Sequence, residues 1–271
     1  MRAVTLLGMS GVGKTTLSRK APQNQWFHYS VDYRIGTHYL GGEINDSLID
    51  CAMSSPVLAE LLRSDSIYIR SNITFDNLAP LSQWVGKIGD PHKGGLPVEE
   101  FKRRQALHRE AEIQALLDIE KFMERARDLY GYENFLVDAG GSIIEVVDVA
   151  NPESDPVLTM LNRIGRTIYI EAVPSLSDEL VKRSIEYQKP MYYNPEFLDD
   201  SLQVYLSKTG LNDPSLIDPD DFVRFMIPRC TEFRSERYRT LLKSFGHKIS
   251  CDQAMAVSSN QDWEALLSAL A

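Results

Sequence analysis

Five short apolar runs stand out along the chain: AVTLL (3–7), WFHYSV (26–31), NFLVD (134–138), TIYIEA (167–172) and HKISC (247–251). Stretches with helical spacing separate most of them, and this alternation predicts an α/β fold with a parallel sheet and helical crossovers. Residues 97–131 predict one long helix. Pro97 suits its first turn, Glu99 and Glu100 sit at the positive end of its dipole, and Gly131 falls just past its end. Further helices are predicted over 177–188, over 194–208 with Asn194 as cap and Pro195 at the first position, and over 260–270. The last carries Trp263, Leu266, Leu267 and Leu270 on one stripe. The connection from Asp32 to Asp138 is far longer than one crossover needs.

The first apolar run leads into GMSGVGKTT (8–16), which fits G-x-x-x-x-G-K-[ST] with Gly8, Gly13, Lys14 and Thr15 at the fixed positions. Gly8, Gly11 and Gly13 let the backbone turn its N–H groups inward as an anion nest, to which Ser10, Val12 and Thr16 add theirs. Lys14 would place its ammonium on the terminal phosphates of a nucleotide, and the Thr15 hydroxyl would take a Mg²⁺ coordination position. The helix predicted directly after the loop adds the partial positive charge of its N-terminus. Such a loop leaves open whether the phosphate is hydrolysed, read as a switch, or passed to an acceptor.

Two carboxylates close other strands. Asp32 follows the second run and could orient or deprotonate an attacking hydroxyl. Asp138 ends the third and resembles the carboxylate that holds Mg²⁺ in phosphate-loop proteins. Gly140 and Gly141 follow it and let backbone N–H groups approach an acceptor or the terminal phosphate. Within the long connection, FDNLAPLSQWVGKIGDPHKGG (75–95) is aromatic and glycine-rich, and is expected to be an acceptor-binding or lid element.

Composition narrows the partners. A formal net charge of −9 argues against long nucleic acid and anionic membranes. The three cysteines, Cys51, Cys230 and Cys251, lack paired spacing, so neither a disulfide framework nor a zinc site is expected, and small buried hydrophobes are. With no long apolar run and no leader pattern, a soluble, cytoplasmic protein is expected.

Taken in order, these elements resemble shikimate kinase and its relatives among the small P-loop phosphotransferases. That family follows its phosphate loop with D-x-D-x-x-I, to which SVDYRI (30–35) is similar; Asp32 matches the acceptor-binding aspartate, and Ser30 stands where the first one would be. The F-R-x-x-E element resembles HREAE (108–112), which implies Arg109 as an anion ligand of the acceptor with Glu112 behind it and His108 in place of the phenylalanine. The triple-glycine segment resembles AGGS (139–142), bringing Gly140 and Gly141 to the acceptor. KRSIEYQKPMYY (182–193) is similar to the lid, which implies Arg183 near adenine and Lys189 reaching the phosphates. RSERY (234–238) resembles R-x-x-x-Y and implies Arg234 as acceptor ligand with Tyr238 packed beside it; Arg229 is its rival.

The resemblance implies a P-loop NTPase three-layer fold, a five-stranded parallel sheet flanked by helices. Its core would be 1–36 and 134–271, with 37–133 an inserted acceptor-binding or lid region. It implies an ATP-dependent phosphotransferase using Mg²⁺ and acting on a hydroxyl of a small anionic acceptor. Two other readings stay open: an ATPase or nucleotide-sensing regulator without an acceptor, and a nucleoside or polynucleotide kinase with Trp84 in a base slot.

Overall fold

In a computed structural model describing residues 1–187 and 189–270, the five apolar runs become β1 (Arg2–Leu7), β2 (Trp26–Ser30), β3 (Asn134–Asp138), β4 (Gly165–Glu171) and β5 (His247–Ser250). They form one sheet in the order β2-β3-β1-β4-β5, with every pairing parallel. The central strand β1 is buried from Ala3 to Leu7, as a parallel strand covered on both faces must be. Asp138 pairs with Leu6 on one side and Ser30 on the other, so β1, β2 and β3 end at one level. The phosphate loop, Asp32 and Asp138 therefore share the carboxyl edge of the sheet, where α/β proteins place their ligands.

Helix α1 (Lys14–Ser18) leaves the loop directly, and α2 (Val31–Arg34) follows β2. Ser30 caps α2, its hydroxyl accepting the Tyr33 amide at 3.3 Å. After a π-helical turn at Ile35–Tyr39 come α3 (Gly41–Met53), α4 (Pro56–Arg63), α5 (Ala79–Val85), α6 (Val98–Leu117) and α7 (Ile119–Tyr130). Helices α8 (Ile143–Val146) and α9 (Pro156–Ile164) lead to β4. Helices α10 (Pro174–Tyr187), α11 (Pro195–Thr209) and α12 (Pro219–Leu241) join β4 to β5. Helices α13 (Cys251–Ala256) and α14 (Asn260–Ala269) close the described chain.

Strand alternation divides the core between two faces. Phe135 and Val137 point into a cluster with Ile44, Leu81, Trp84 and Ala115 from the long excursion. Leu136 points the other way, towards Leu17, Ala254, Trp263 and Leu267. Helices 41–130 thus share their core with the sheet. A smaller cluster joins Ile88 and Phe101 to Leu198, Tyr205 and Phe222 of α11 and α12.

Three expectations are corrected. The helix expected over 97–131 breaks at Asp118, where the Tyr29 hydroxyl donates to the Ala115 carbonyl at 2.6 Å and competes for the helical ladder. Asp118 itself accepts Arg34 Nη2 at 2.6 Å and the Tyr39 hydroxyl at 2.7 Å, fixing the bend. The helix expected over 177–188 starts earlier, at Pro174, and Gln188 lies outside the described residues. Of the cysteines, Cys230 and Cys251 are buried, but Cys51 is exposed on α3. Among the described residues no helix is long and apolar enough to cross a membrane.

Candidate active site at the carboxyl edge of the sheet

The loop adopts a backbone only glycine takes without strain: φ is 149° at Gly8, 87° at Gly11 and 99° at Gly13. Lys14 folds back over it and donates from Nζ to the carbonyls of Gly8 at 2.8 Å and Met9 at 3.0 Å. Burial lowers the lysine's pKa, against the pull of Asp138 and Asp32. The Thr15 hydroxyl donates to Asp138 Oδ2 at 2.8 Å. Burial raises the pKa of Asp138, with Lys14 and Thr15 opposing it. Asp32 is raised by burial and by the Asp138 charge, while Lys14 and Lys189 pull it down. His28, given no chemistry in the sequence, has Nε2 4.0 Å from Asp138 Oδ2. Burial and Arg19 push its pKa down to about 4, so the pair is not an ion pair at neutral pH.

The cleft above these groups has two lobes. The first, about 270 Å³, is lined by Ser10, Gly11, Gly13, Lys14, Thr15, Thr16 and Asp138. The second, about 160 Å³, is lined by Leu81, Val85, His108, Ser142, Tyr192 and Arg234 among others. Ser10, Asp32, Leu78, Gly141 and Lys189 line both, so the lobes meet at the Asp32 carboxylate. Gly140 makes this approach possible, because a Cβ there would stand 2.4 Å from Asp32 Oδ1 and 3.3 Å from Glu112 Oε1. A Cβ on Gly141 would lie 3.3 Å from the Ser10 amide.

Other sequence candidates fall at different distances from the cleft. Gly8 and Val12 do not line it: Gly8 holds Lys14, and Val12 anchors the loop in the core. Arg183 is exposed on α10, yet its Nη2 lies 2.9 Å from where a Cβ on Gly11 would stand. Arg109 does not line either lobe; His108, one position earlier on α6, does. Between the two rival arginines, Arg234 lines the second lobe, whereas Arg229 donates to Ser201 on α11 and stacks on Phe225. Trp84 is 3% exposed, packed in the core with Arg104 over its ring, so it forms no open base slot.

Glu145 escaped the sequence reading of the site, and Glu112 and His108, named there only beside Arg109, turn out to be buried. Glu145 on α8, 2% exposed, forms a buried ion pair with Arg234 and also accepts the Asn194 amide. Arg234 Nη2 donates to the Tyr192 carbonyl at 3.2 Å. Glu112 is wholly buried, accepts the Ser142 hydroxyl at 2.9 Å, and has its pKa pushed up to about 8 by burial and by Asp32. His108 stacks on Tyr192 with ring centroids 5.0 Å apart. A signal existed for the burial of both carboxylates: Glu145 stands alone among apolar residues in IIEVV, and Glu112 shares a helical face with Ala111, Ala115 and Leu116.

The donor set fits magnesium arriving with a nucleotide. Thr15 and Asp138 offer a hydroxyl and a carboxylate side by side, which suits an ion that fills its other positions with phosphate and water oxygens. Among the described residues no cluster of three or more His, Cys, Asp or Glu side chains forms an all-protein metal cage.

The sheet, loop and cleft together define an α/β protein whose central parallel strand leads into a glycine-rich loop at the carboxyl edge of a five-stranded parallel sheet. No protein-family model and no curated protein matches the chain. Among solved structures, it aligns with shikimate kinase from Bacteroides thetaiotaomicron at 17% identity and a TM-score of 0.42, covering 98% of each chain.

Proposed function

We propose that the chain is an ATP-dependent phosphotransferase that moves the γ-phosphoryl group of magnesium ATP to a hydroxyl of a small acceptor. What supports this most is the Asp32 carboxylate at the junction of the two lobes, flanked by Lys189 on the phosphate side and on the second-lobe side alike. A hydrolase needs only the first lobe.

Lys14 would exchange the Gly8 and Met9 carbonyls for phosphate oxygens, while the loop N–H groups hold the chain of phosphates. Thr15 and Asp138 would hold Mg²⁺, which neutralises charge on the β- and γ-oxygens when bound. Asp32 would accept the proton of the acceptor hydroxyl, its basicity increased by burial and by Asp138. Gly141 and Ser10 bring backbone amides to the same junction, and Lys189 adds a cation there. Catalysis of this kind is mostly positioning and charge stabilisation.

The regulator reading is less favoured because segment 75–95 folds inward, with Leu78, Leu81 and Val85 lining the second lobe, instead of offering a flat exposed surface. The polynucleotide reading loses its one aromatic candidate in the buried Trp84.

The test is Mg²⁺-dependent ADP release from ATP, alone and with pooled hydroxy acids, sugars, alcohols and nucleosides. Stimulation by one pool, abolished in Lys14→Ala and in Asp32→Ala, is the expected result. Steady release that no pool changes and that Asp32→Ala leaves intact would leave an ATPase.

A further inference from the structure

The second lobe carries almost no uncompensated charge. Arg234 is paired with Glu145 in a buried ion pair, and its Nη2 is further engaged by the Tyr192 carbonyl. Arg109 does not reach the lining. Lys189 lines both lobes, its charge acting on Asp32. The walls are apolar: Leu78, Leu81 and Val85 on one side, Met191 and Ile227 on the other. The one lining cation without a carboxylate bridge among the described residues, Lys189, also lines the first lobe, where the transferred phosphoryl group would claim it. A carboxylate or phosphate between these walls would therefore lose its hydration without a cation of its own.

Two side chains on the lining, His108 and Tyr192, have a buried polar atom without a partner, and only His108 has a second unpartnered group facing it. His108 is 6% exposed, and its Nδ1 is buried without a partner. That nitrogen lies 3.9 Å from Glu112 Oε2, which is also buried without a partner. The other carboxyl oxygen of Glu112 is already taken by the Ser142 hydroxyl. Two facing polar atoms that both lack partners are satisfied together when one carries a proton and they close by about 1 Å.

We propose that His108 is the specificity-determining donor of the second lobe, held by Glu112 in the tautomer that presents Nε2–H to the cavity, and that the lobe takes the body of an uncharged alcohol. The inference rests on the phosphotransferase reading for the role of that alcohol as acceptor.

The surrounding charges agree with this assignment. Glu112 faces Asp32 from α2, Ser142 and Glu145 from the segment after β3, and Arg234 from α12. Burial and the Asp32 charge push its pKa up to about 8, against the Ser142 bond and Arg234, so at neutral pH it carries the proton. Burial and Arg234 push the His108 pKa down to about 4, leaving a neutral ring that can accept at Nδ1. The Tyr192 ring stacked on the imidazole fixes its plane. Glu112 is then a positioning residue, and His108 the group that touches the acceptor.

Imidazole-selected ¹⁵N NMR of the full chain reads this tautomer directly. His108 should remain neutral and Nε2-protonated between roughly pH 5.5 and 7.5, without a titration at the ordinary histidine value. Glu112→Gln, which keeps a donor, should preserve the tautomer, and Glu112→Met should release it. In the wild type, an Nδ1-protonated ring or an ordinary titration would overturn the proposal. A second arm adds a cyclohexanediol, or the same ring carrying a carboxylate, and follows the His108 signal. A shift with the neutral diol supports the proposal; a shift with the carboxylate instead, or with neither, overturns it. Once an acceptor is known, His108→Phe should raise its KM about tenfold with kcat within about twofold, the loss expected of one neutral hydrogen bond. ADP release that no acceptor stimulates, while the diol still moves His108, would end the phosphotransferase reading alone. Stimulated release beside an Nδ1-protonated His108 would end this inference alone.

Discussion

Removing one half of the ion pair beneath the second lobe is the sharpest perturbation the fold offers. Glu145→Ala would leave the Arg234 guanidinium, 8% exposed, with only the Tyr192 carbonyl to receive it. It would also strip the Asn194 amide of its acceptor at the start of α11. Breaking a buried pair from one side costs about 3–5 kcal/mol, because the remaining charge stays desolvated. The lost amide acceptor pushes the figure towards the upper end of that range. Against a total stability of about 5–15 kcal/mol, this is a large fraction. Glu120→Ala is the matched control: it removes the Arg163–Glu120 bridge, whose side chains are 65% and 45% exposed, and should cost under about 1 kcal/mol. The double variant Glu145→Leu/Arg234→Met removes both charges and should regain most of the loss. Urea unfolding of the four proteins reads these differences as shifts in midpoint at constant m-value. The reasoning fails if Glu145→Ala costs no more than Glu120→Ala, or if the double variant is as unstable as the single one.

Other consequences follow from single contacts. Glu112 has a folded pKa of about 8 against an ordinary 4.5, so the fold retains a proton that the unfolded chain releases. Its contribution to stability is full below pH 4.5 and is lost as pH rises to about 8, and Glu112→Gln should flatten that slope in pH-dependent unfolding. Gly140→Ala would drive a Cβ to 2.4 Å from Asp32 Oδ1. It should lower acceptor-dependent turnover about a hundredfold, because a displacement near 1 Å suffices, while nucleotide affinity measured by calorimetry stays near wild type. Tyr29→Phe deletes the donor to the Ala115 carbonyl. Calorimetry should show a loss of about 1 kcal/mol, with faster amide exchange at the α6–α7 bend.

Local patterns made the sheet legible. The five apolar runs are confined, rich in residues suited to buried strands, and bounded by turn residues, so strand positions agree to within two residues. The phosphate loop is legible because its glycines are dictated by positive φ angles that no other residue adopts cheaply. The bend at Asp118 was not legible, since it is imposed by Tyr29, Arg34 and Tyr39 from distant positions. Arg109 illustrates the limit of motif transfer: one residue along a helix is a turn of about 100°, enough to exchange a cavity-facing His108 for a side chain outside the lining. The neutralisation of Arg234 was hidden for a related reason. Sequence displays Arg234 as a cation, and only the tertiary fold sets Glu145 against it.

The sheet order also has a bearing on how such a chain diversifies. The strand that delivers the phosphate loop lies at the centre, locked between two neighbours, while β2 is an outer strand with one neighbour only. The excursion from Val31 to Glu133 joins β2 to β3 and brings Leu78, Leu81, Val85 and His108 to the second lobe. Of its residues only Asp32, Phe75 and Leu78 line the first lobe, so a change elsewhere in the excursion would remodel the second lobe and leave the loop-bearing strand in place. On the phosphotransferase reading, acceptor selectivity and phosphate binding would sit largely on different parts of one polypeptide, joined where Ser10, Asp32, Leu78, Gly141 and Lys189 line both lobes.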